Sequence, residues 1–448
     1  MANTVAKYQK YAEYQDSGIE WLCEIPSHWF LKKHKYIAEF SKGKNPELLF
    51  DNYSDGLYPY LSMDSLRGKA DSKYAEYKKG LVLVQDNQPL IIWDGSNSGE
   101  FVLGRKGLLS STMASACLIY EIQDKYYWYL CVCIEPEMRK HATGMGIPHV
   151  NGEELRGIVL PLPELNEQTQ IANFLDYETA KIDHLIEKQQ QLIELLKEKR
   201  QAVISHAVTK GLDPNVPMKD SGMKWLGEVP EHWDIVKLSQ IAVAFNGDRG
   251  ANYPSGNDFV DEGIYFISAN EVINAKVITE TASRITQKKY DELGGLKIKK
   301  GDIIYCLRGA GVGKNGICDF DEGTVSSSLM GIRSIKLDPD YLVLLLNSSA
   351  ELQQRSVLVN GSVSPNLSAE NVIGYKFAIP AVDEQIEIKK SIELRVNKIE
   401  ILLSNAEQAI QLMQERRTAL ISAAVTGKID VRNWQAPTVA EADTEFSA

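Results

Sequence analysis

One phrase of fourteen residues occurs twice in this chain and constrains what it can fold into. Residues 16–29 read Asp16-Ser17-Gly18-Ile19-Glu20-Trp21-Leu22-Cys23-Glu24-Ile25-Pro26-Ser27-His28-Trp29. Residues 220–233 read Asp220-Ser221-Gly222-Met223-Lys224-Trp225-Leu226-Gly227-Glu228-Val229-Pro230-Glu231-His232-Trp233. Asp, Ser, Gly, Trp, Leu, Glu, Pro, His and Trp return in register, 204 positions apart. Chance does not bring two tryptophans, a proline and a histidine back together, so the chain is a tandem duplication. Further echoes support this. Gly107-Leu108-Leu109-Ser110-Ser111-Thr112-Met113 stands 216 positions before Gly323-Thr324-Val325-Ser326-Ser327-Ser328-Leu329. Gly144, Pro148 and Pro163 match Gly361, Pro365 and Pro380 at an offset of 217, so the second copy has gained 13 residues. The frame repeats while the loops have drifted apart, as expected of two readers of different targets.

At 448 residues the chain has room for about two to four domains. Its 44% hydrophobic and 24% charged residues are ordinary for a globular protein. The longest apolar run, 126–134, is too short to span a bilayer, and the start Met1-Ala2-Asn3-Thr4 lacks signal-peptide character. A cytoplasmic location is expected. Six cysteines are scattered, and only Cys131 and Cys133 are close. Their spacing suits neither zinc nor a disulfide framework. On a strand both would share one face, as core residues. The net charge of −11 argues against a general basic sponge for nucleic acid. The acidity lies largely in helical segments and the tail 441–445, and segments 31–160 and 234–379 are each about neutral. Local basic loops remain compatible with this balance.

Residues 1–13 read as a polar arm, and the paired tryptophans Trp21, Trp29, Trp225 and Trp233 as anchors that pin each phrase to its domain or shape a partner surface. From 31 to 163 short β-rich runs (81–84, 90–93, 116–120) alternate with Gly/Asn/Ser/Asp loops, with one helix at 125–135. This is an α+β domain whose loops are the place for recognition. A long amphipathic stretch follows each domain. Asn166-Glu167-Gln168 and Asp383-Glu384-Gln385 open them, with Asn166 and Asp383 as N-caps. The expected seam is Leu175, Ile182, Leu185, Leu192 and Leu196 in the first, and Ile392, Ile399, Leu402, Ala409 and Met413 in the second. Each runs for about 40 residues, or roughly 60 Å. Gly211 and Gly427 supply the stops. Antiparallel pairing would close the repeat into a circular, pseudo-two-fold arrangement. The expected boundaries are 1–163 for the first domain, 164–213 for the first helix, 214–380 for the second domain, 381–434 for the second helix and 435–448 for a flexible tail.

Motifs for catalysis are wanting. Arg308-Gly309-Ala310-Gly311-Val312-Gly313-Lys314-Asn315 is one residue short of a P-loop and has Asn315 where a hydroxyl is needed. Gly311-x-Gly313-x-x-Gly316 runs into a strand rather than a phosphate-facing helix. The seven histidines form no zinc spacing, so no metal is expected, and there is no nucleophile elbow. A self-sufficient modifying enzyme is disfavoured. A coiled-coil scaffold with two protein-binding heads stays open as an alternative.

The two phrases, the segments Leu160-Pro161-Leu162-Pro163 and Phe377-Ala378-Ile379-Pro380 leading into Glu-Gln, and the two long helices ending in Ala-Val-Thr together resemble one family. It is the specificity subunit of type I restriction–modification systems. The likeness covers residues 14 to about 434, with Cys23 in place of the glycine at Gly227 as a departure. The resemblance implies two target recognition domains, each reading one half of a bipartite, asymmetric site on double-stranded DNA. It implies an antiparallel coiled coil acting as a ruler for the spacer. It also implies two modification (methyltransferase) subunits and further restriction subunits as partners, with S-adenosylmethionine, ATP and magnesium acting there and no catalysis in this chain. Base readout needs Arg, Lys, Asn, Gln, Ser or Thr on loops. The candidates are Arg67, Lys69, Asn97, Arg105, Lys106, Ser110, Ser111 and His149 in the first domain. In the second they are Arg249, Asn252, Asn257, Arg308, Lys314, Asn315, Ser326, Ser327 and Asn366. If the helices set the spacer, inserting one helical turn into the first of them changes the half-site spacing preferred in a methylation map; an unchanged spacing rejects the ruler.

Overall fold

The computed structural model describes residues 8–140, 148–248, 250, 253–359, 361 and 365–436. The repeated phrase folds in both copies as a hairpin. Tyr14–Asp16 pairs antiparallel with Glu24–Pro26, and Met218–Asp220 with Glu228–Pro230. Its short polar residues make the turn. The Asp16 carboxylate accepts the Gly18 amide at 2.9 Å and Ser17 Oγ accepts the Ile19 amide at 3.1 Å. Asp220 and Ser221 do the same for Gly222 and Met223, at 2.9 and 3.2 Å. A left-handed residue completes the turn, with φ 57° at Cys23 and 60° at Gly227. Glycine adopts this conformation freely, whereas the Cβ of Cys23 crowds its own backbone there.

By contacts the chain divides into Met1–Gln189 with Gln408–Ala448, and Gln190–Glu407. The division runs through both long helices. Each unit therefore holds one α+β head and a length of both helices.

The heads share a frame. In the first, Ala38–Lys42, Met113–Leu118, Pro89–Ile92 and Phe101–Leu103 form an antiparallel sheet in that order. A second sheet runs Lys73–Glu76, Leu57–Leu61, Gly107–Leu109, Leu83–Val84, with its middle pair parallel. In the second head Ala242–Asn246, Leu329–Ser334, Ile303–Cys306 and Asn315–Ile317 repeat the first sheet, and Ala275–Val277 and Val272–Ile273 extend it to six strands. A further ladder ties the end of each phrase to the strand before the long helix: Phe30–Lys33 with Val159–Leu162, and Asp234–Lys237 with Lys376–Ile379. The expected helix at 125–135 spans Asp124–Lys140. Cys131 and Cys133 lie on this helix and not on a strand; Cys131 is buried and Cys133 half-buried.

The long helices span Leu165–Lys210 and Val382–Val425, 46 and 44 residues. Both begin one residue before Asn166 and Asp383, which therefore stand inside the first turn and not at the N-cap. In the first helix the buried or half-buried ladder is Leu175, Thr179, Ile182, Ile186, Gln189, Ile193, Leu196 and Arg200. In the second it is Ile392, Val396, Ile399, Leu403, Ala406, Ile410, Met413, Arg417 and Leu420. The steps alternate four and three throughout, the mark of a coiled-coil face. Leu185, Leu192 and Leu402 are 47%, 42% and 51% exposed, which corrects the expected seam. Each sits one residue, or about 100° of rotation, before the true seam residue Ile186, Ile193 or Leu403. Ala409 is half-buried, one residue before Ile410.

The helix segments run antiparallel within each unit. In the first, Arg417 Nε lies 2.8 Å from Asp183, while Gln170, further up the first helix, lies beside Trp434, beyond the end of the second. In the second, Arg200 Nε lies 2.7 Å from Glu400, and Ile204, Ala207 and Val208 share a core with Ile388 and Ile392. Asp183 and Arg200 precede Glu400 and Arg417 by 217 positions, so a single ion pair has been inherited twice.

The first unit also joins residues 8–11 to residues 430–434. The Asp430 amide donates to the Gln9 carbonyl at 2.8 Å. Arg432 stacks over the Tyr11 ring at 4.9 Å, and Tyr8 and Trp434 meet Phe174 edge-on at 5.3 and 5.5 Å. The stretch expected as a polar arm is thus packed from Tyr8 onward, and Tyr11 is buried. Residues 437–448, most of the expected tail, lie outside the described residues. Among the described residues no helix is long and apolar enough to cross a membrane.

Two stability measurements follow from these placements. Ile193→Ala, at a buried seam position, is expected to cost about 2–4 kcal/mol in urea unfolding, and Leu192→Ala about 0.5 kcal/mol or less; equal costs would return the seam to Leu192. Cys23→Gly is expected to raise stability by about 0.5–1 kcal/mol, left-handed relief being partly offset by a freer unfolded chain; a lower unfolding midpoint refutes this.

Candidate nucleic-acid interface

Each head offers one turn between two consecutive, paired strands of its first sheet, and the same hydrogen bonds build both. In the first head the Gly99 amide donates to the Ile92 carbonyl at 2.9 Å and the Ile92 amide to Glu100 at 2.8 Å. In the second the Gly313 amide donates to Cys306 at 2.9 Å and the Cys306 amide to Lys314 at 2.8 Å. The turns then lean on a passing segment. Asp94 is bridged to His149, and Arg308 to Asn366. The Gly95 amide donates to the Pro148 carbonyl, and the Gly309 amide to Pro365, both at 2.9 Å. The frame is one, and the side chains on it differ. Asp94-Gly95-Ser96-Asn97-Ser98-Gly99-Glu100 has acidic ends; Arg308-Gly309-Ala310-Gly311-Val312-Gly313-Lys314 has basic ends. The acidic ends are answered by cations. Lys42 Nζ lies 2.8 Å from Asp94, and Arg67 donates to both Glu100 oxygens at 2.6 and 2.8 Å.

Several candidate readers gather here. Arg308, Lys314 and Asn366 surround the second turn, all exposed. Cross-bridge neighbours such as Arg308 and Asn366 have Cβ atoms about 5 Å apart. Asn97, half-buried, and His149, exposed, belong to the first turn, and Arg67 reaches it through Glu100. Lys69 and Arg105 line a separate concavity of about 430 Å³, where Arg105 donates to the Ser65 carbonyl at 2.8 Å. Lys106 is exposed, its amide held by Asp86. Ser111 and Ser327 are half-buried, and Asn257 is exposed on the short turn Gly256–Asp258. Arg249 and Asn252 lie outside the described residues.

Three candidates are withdrawn into the frame. Asn315 is 3% exposed; its amide nitrogen donates to the Gly313 and Leu346 carbonyls, and its oxygen accepts from Asn347 at 2.6 Å. Ser110 is buried with its hydroxyl 2.8 Å from that of Thr112, and Ser326 is buried with its hydroxyl 3.0 Å from that of Ser328. A glycine packs on each serine: a Cβ at Gly43 would lie 2.2 Å from the Ser110 carbonyl oxygen, and one at Gly247 2.4 Å from that of Ser326. Spent on these partners, the three side chains are unavailable to a base edge.

Residues 26–195 and 230–411 each match the family model described as the type I restriction modification DNA specificity domain. The chain belongs to this family. It is 30% identical over 417 residues to the type I restriction enzyme MjaVIII specificity subunit of Methanocaldococcus jannaschii, covering 91% of this chain and 95% of that one. It is 22% identical over 441 residues to the EcoBI specificity subunit of Escherichia coli, covering 94% and 90%. A solved chain of the type I R-M system has the same fold, with a TM-score of 0.63 at 13% identity over 90% of this chain and 98% of that one.

The two specificity domains contain partners for the phrase that sequence reasoning passed over. Trp29 Nε1 donates to Glu167 Oε1 at 3.1 Å, and His28 Nε2 lies 2.9 Å from Glu167 Oε2. Trp233 Nε1 donates to Glu384 at 3.1 Å, and His232 Nε2 lies 2.8 Å from it. The neighbouring Gln168 and Gln385 donate to the Pro163 and Pro380 carbonyls, both at 2.9 Å. Trp29 and Trp233 are thus structural anchors, while Trp21 and Trp225 are half-buried beside the cores. The signal was the Glu-Gln pair returning at an offset of 217.

Two other carboxylates sit under the turns. Burial pushes the Glu135 carboxyl up to about 7, and the Phe101 amide partly offsets this. Burial also raises Glu351, against the opposing pull of the Tyr305 hydroxyl and Arg355.

Proposed function

We propose that this chain is the DNA-reading subunit of a type I restriction–modification complex, each head reading one half of a bipartite, asymmetric site. The observation that carries the reading is the turn at 94–100 and 308–314: one hydrogen-bonded frame bearing acidic ends in one head and basic ends in the other. Arg308 beside Asn366 supplies the two side-chain types that pair bidentately with guanine and adenine edges. The first head offers Asn97, His149 and an Arg67 already tied to Glu100, a different chemical set for a different half-site. The long helices carry the spacer between half-sites.

In this reading the chain supplies recognition and its partners supply chemistry. Two modification subunits bind the two repeated regions and use S-adenosylmethionine; restriction subunits use ATP and magnesium. The modest net charge of the heads suits a subunit that shares phosphate contacts with its partners. A scaffold with two protein-binding heads accounts for the diverged loops but not for the match to a DNA specificity domain.

The test is Arg308→Ala in cells that carry the modification subunits. Adenine methylation mapped across the genome should keep one half-site and the spacer and lose stringency in the other half. Affinity for the cognate duplex should fall by about 1–3 kcal/mol, with assembly intact. An unchanged motif and affinity would remove Arg308 from base reading.

A further inference from the structure

Behind each turn lies a helix, and the same two side chains stand on it at matching places. Glu135 and Arg139 on Asp124–Lys140 precede Glu351 and Arg355 on Ser349–Leu358 by 216 positions. Each glutamate holds a strand that flanks the turn. Glu135 Oε1 accepts the Phe101 amide at 2.9 Å, and Glu351 accepts the Tyr305 hydroxyl. Each arginine lies against the glycine that closes the turn. Gly99 and Gly313 have φ of 91° and 88°. A Cβ at Gly99 would stand 3.2 Å from Arg139 Cγ, and one at Gly313 2.2 Å from Arg355 Nε. The guanidinium groups then reach the residue beside that glycine. Arg139 comes within 3.4 Å of the Glu100 carboxylate, and Arg355 donates to the Val312 carbonyl at 3.2 Å. Arg355 also pairs with Glu351 at 3.0 Å, and Glu351 is only 2% exposed. Placing a carboxylate there is costly unless its bonds secure something.

The contrast with the turns is informative. The end residues of the turns have reversed their charge between the copies, while the Glu–Arg pair and the glycine it covers have not moved. We propose that Glu135–Arg139 and Glu351–Arg355 form a duplicated clamp that holds each turn at the position where the reading residues on and beside it meet base edges. This rests on the reading that the turns face DNA. Arg139 and Arg355 are positioning residues: they fix the backbone from behind and leave the reading to residues such as Arg308. Base readout requires placement within hydrogen-bond tolerance, so a turn released by a fraction of an ångström loses discrimination before it loses general affinity.

The experiment uses the full chain assembled with its modification subunits, and duplexes carrying the cognate site or single substitutions in either half. Arg355→Met keeps the bulk of the stem and removes the guanidinium bonds. It is expected to lower discrimination in the half-site read by the second head about tenfold. Discrimination in the other half should be unchanged, as should the slope of affinity against salt. Arg139→Met should do the converse. Gly313→Ala should also lower discrimination, and by less when combined with Arg355→Ala, which vacates the space a Cβ would take. Should Arg355→Met fail to assemble, Arg355→Lys takes its place, keeping the charge but not the fork. Arg308→Ala is the control. If it lowers discrimination and Arg355→Met does not, the clamp is refuted and the DNA-facing turn stands. If neither does, both readings fall. A uniform loss in both half-sites would mean general destabilisation. A salt slope reduced by about 1 would mean that Arg355 touches phosphate directly. Either of these results also overturns the clamp.

Discussion

One carboxylate in each unit, Glu167 or Glu384, receives both the indole and the imidazole of the repeated phrase, and the rest of the unit is arranged around that junction. The carboxylate stands in the first turn of a long helix, where the helix dipole favours negative charge. Its partners stand at the end of the hairpin phrase. Directly after them the chain becomes the strand Phe30–Lys33 or Asp234–Lys237, paired with the strand that leads into the same helix. Hairpin, sheet and helix are thereby fixed to one another at a single point. Glu167 is 8% exposed and also accepts the Tyr11 hydroxyl at 2.7 Å. A carboxylate so withdrawn from water requires its full set of donors. This explains why His and Trp both return in each phrase: the junction needs two donors at its end.

The architecture was legible in the sequence because it is written twice. Repetition exposed the phrase, the long helices and their stops without any need for three-dimensional information. The seam was legible only to within one residue. Leu is as plausible as Ile on composition, and Leu185, Leu192 and Leu402 kept a heptad rhythm on the wrong side of the true line. The buried face includes Thr179, Gln189 and Arg200, polar residues that a hydrophobic pattern passes over. Arg200 is there for Glu400, a partner set by antiparallel packing and invisible in linear order.

The candidate site was less legible, and the reason lies in how the copies differ. Ser110 and Ser326 were chosen as polar residues on loops, yet they fall in one of the echoed segments. Residues that return in register belong to the frame, and here both hydroxyls are bound inside it. Positions that occupy the same place with altered chemistry mark the variable surface, as with Asp94 against Arg308 and Glu100 against Lys314. Finding these pairs required the backbone bonds of the turn, because the offset there is 214, between the 204 of the phrase and the 216 of the following strand. Asn315 misled for a related reason: a polar residue beside a glycine-rich loop resembles a reader until its amide is seen bonded to Gly313 and Leu346.

Residues after Gln408 complete the unit that the earliest residues begin, which sets the order in which the molecule can be made. The second unit, Gln190–Glu407, is continuous, so all of it leaves the ribosome before the last helical turns, up to Val425, do. The first unit is translated earliest and completed last. Its core takes in Leu420, Ile421, Ala424, Val425, Ile429 and Val431, residues from the final segment. Until these emerge, the early head carries an unfilled apolar face along Ile171, Phe174 and Leu175, a surface of the kind that chaperones bind. A free chain ending near residue 407 would hold a complete second reader and an unfinished first one.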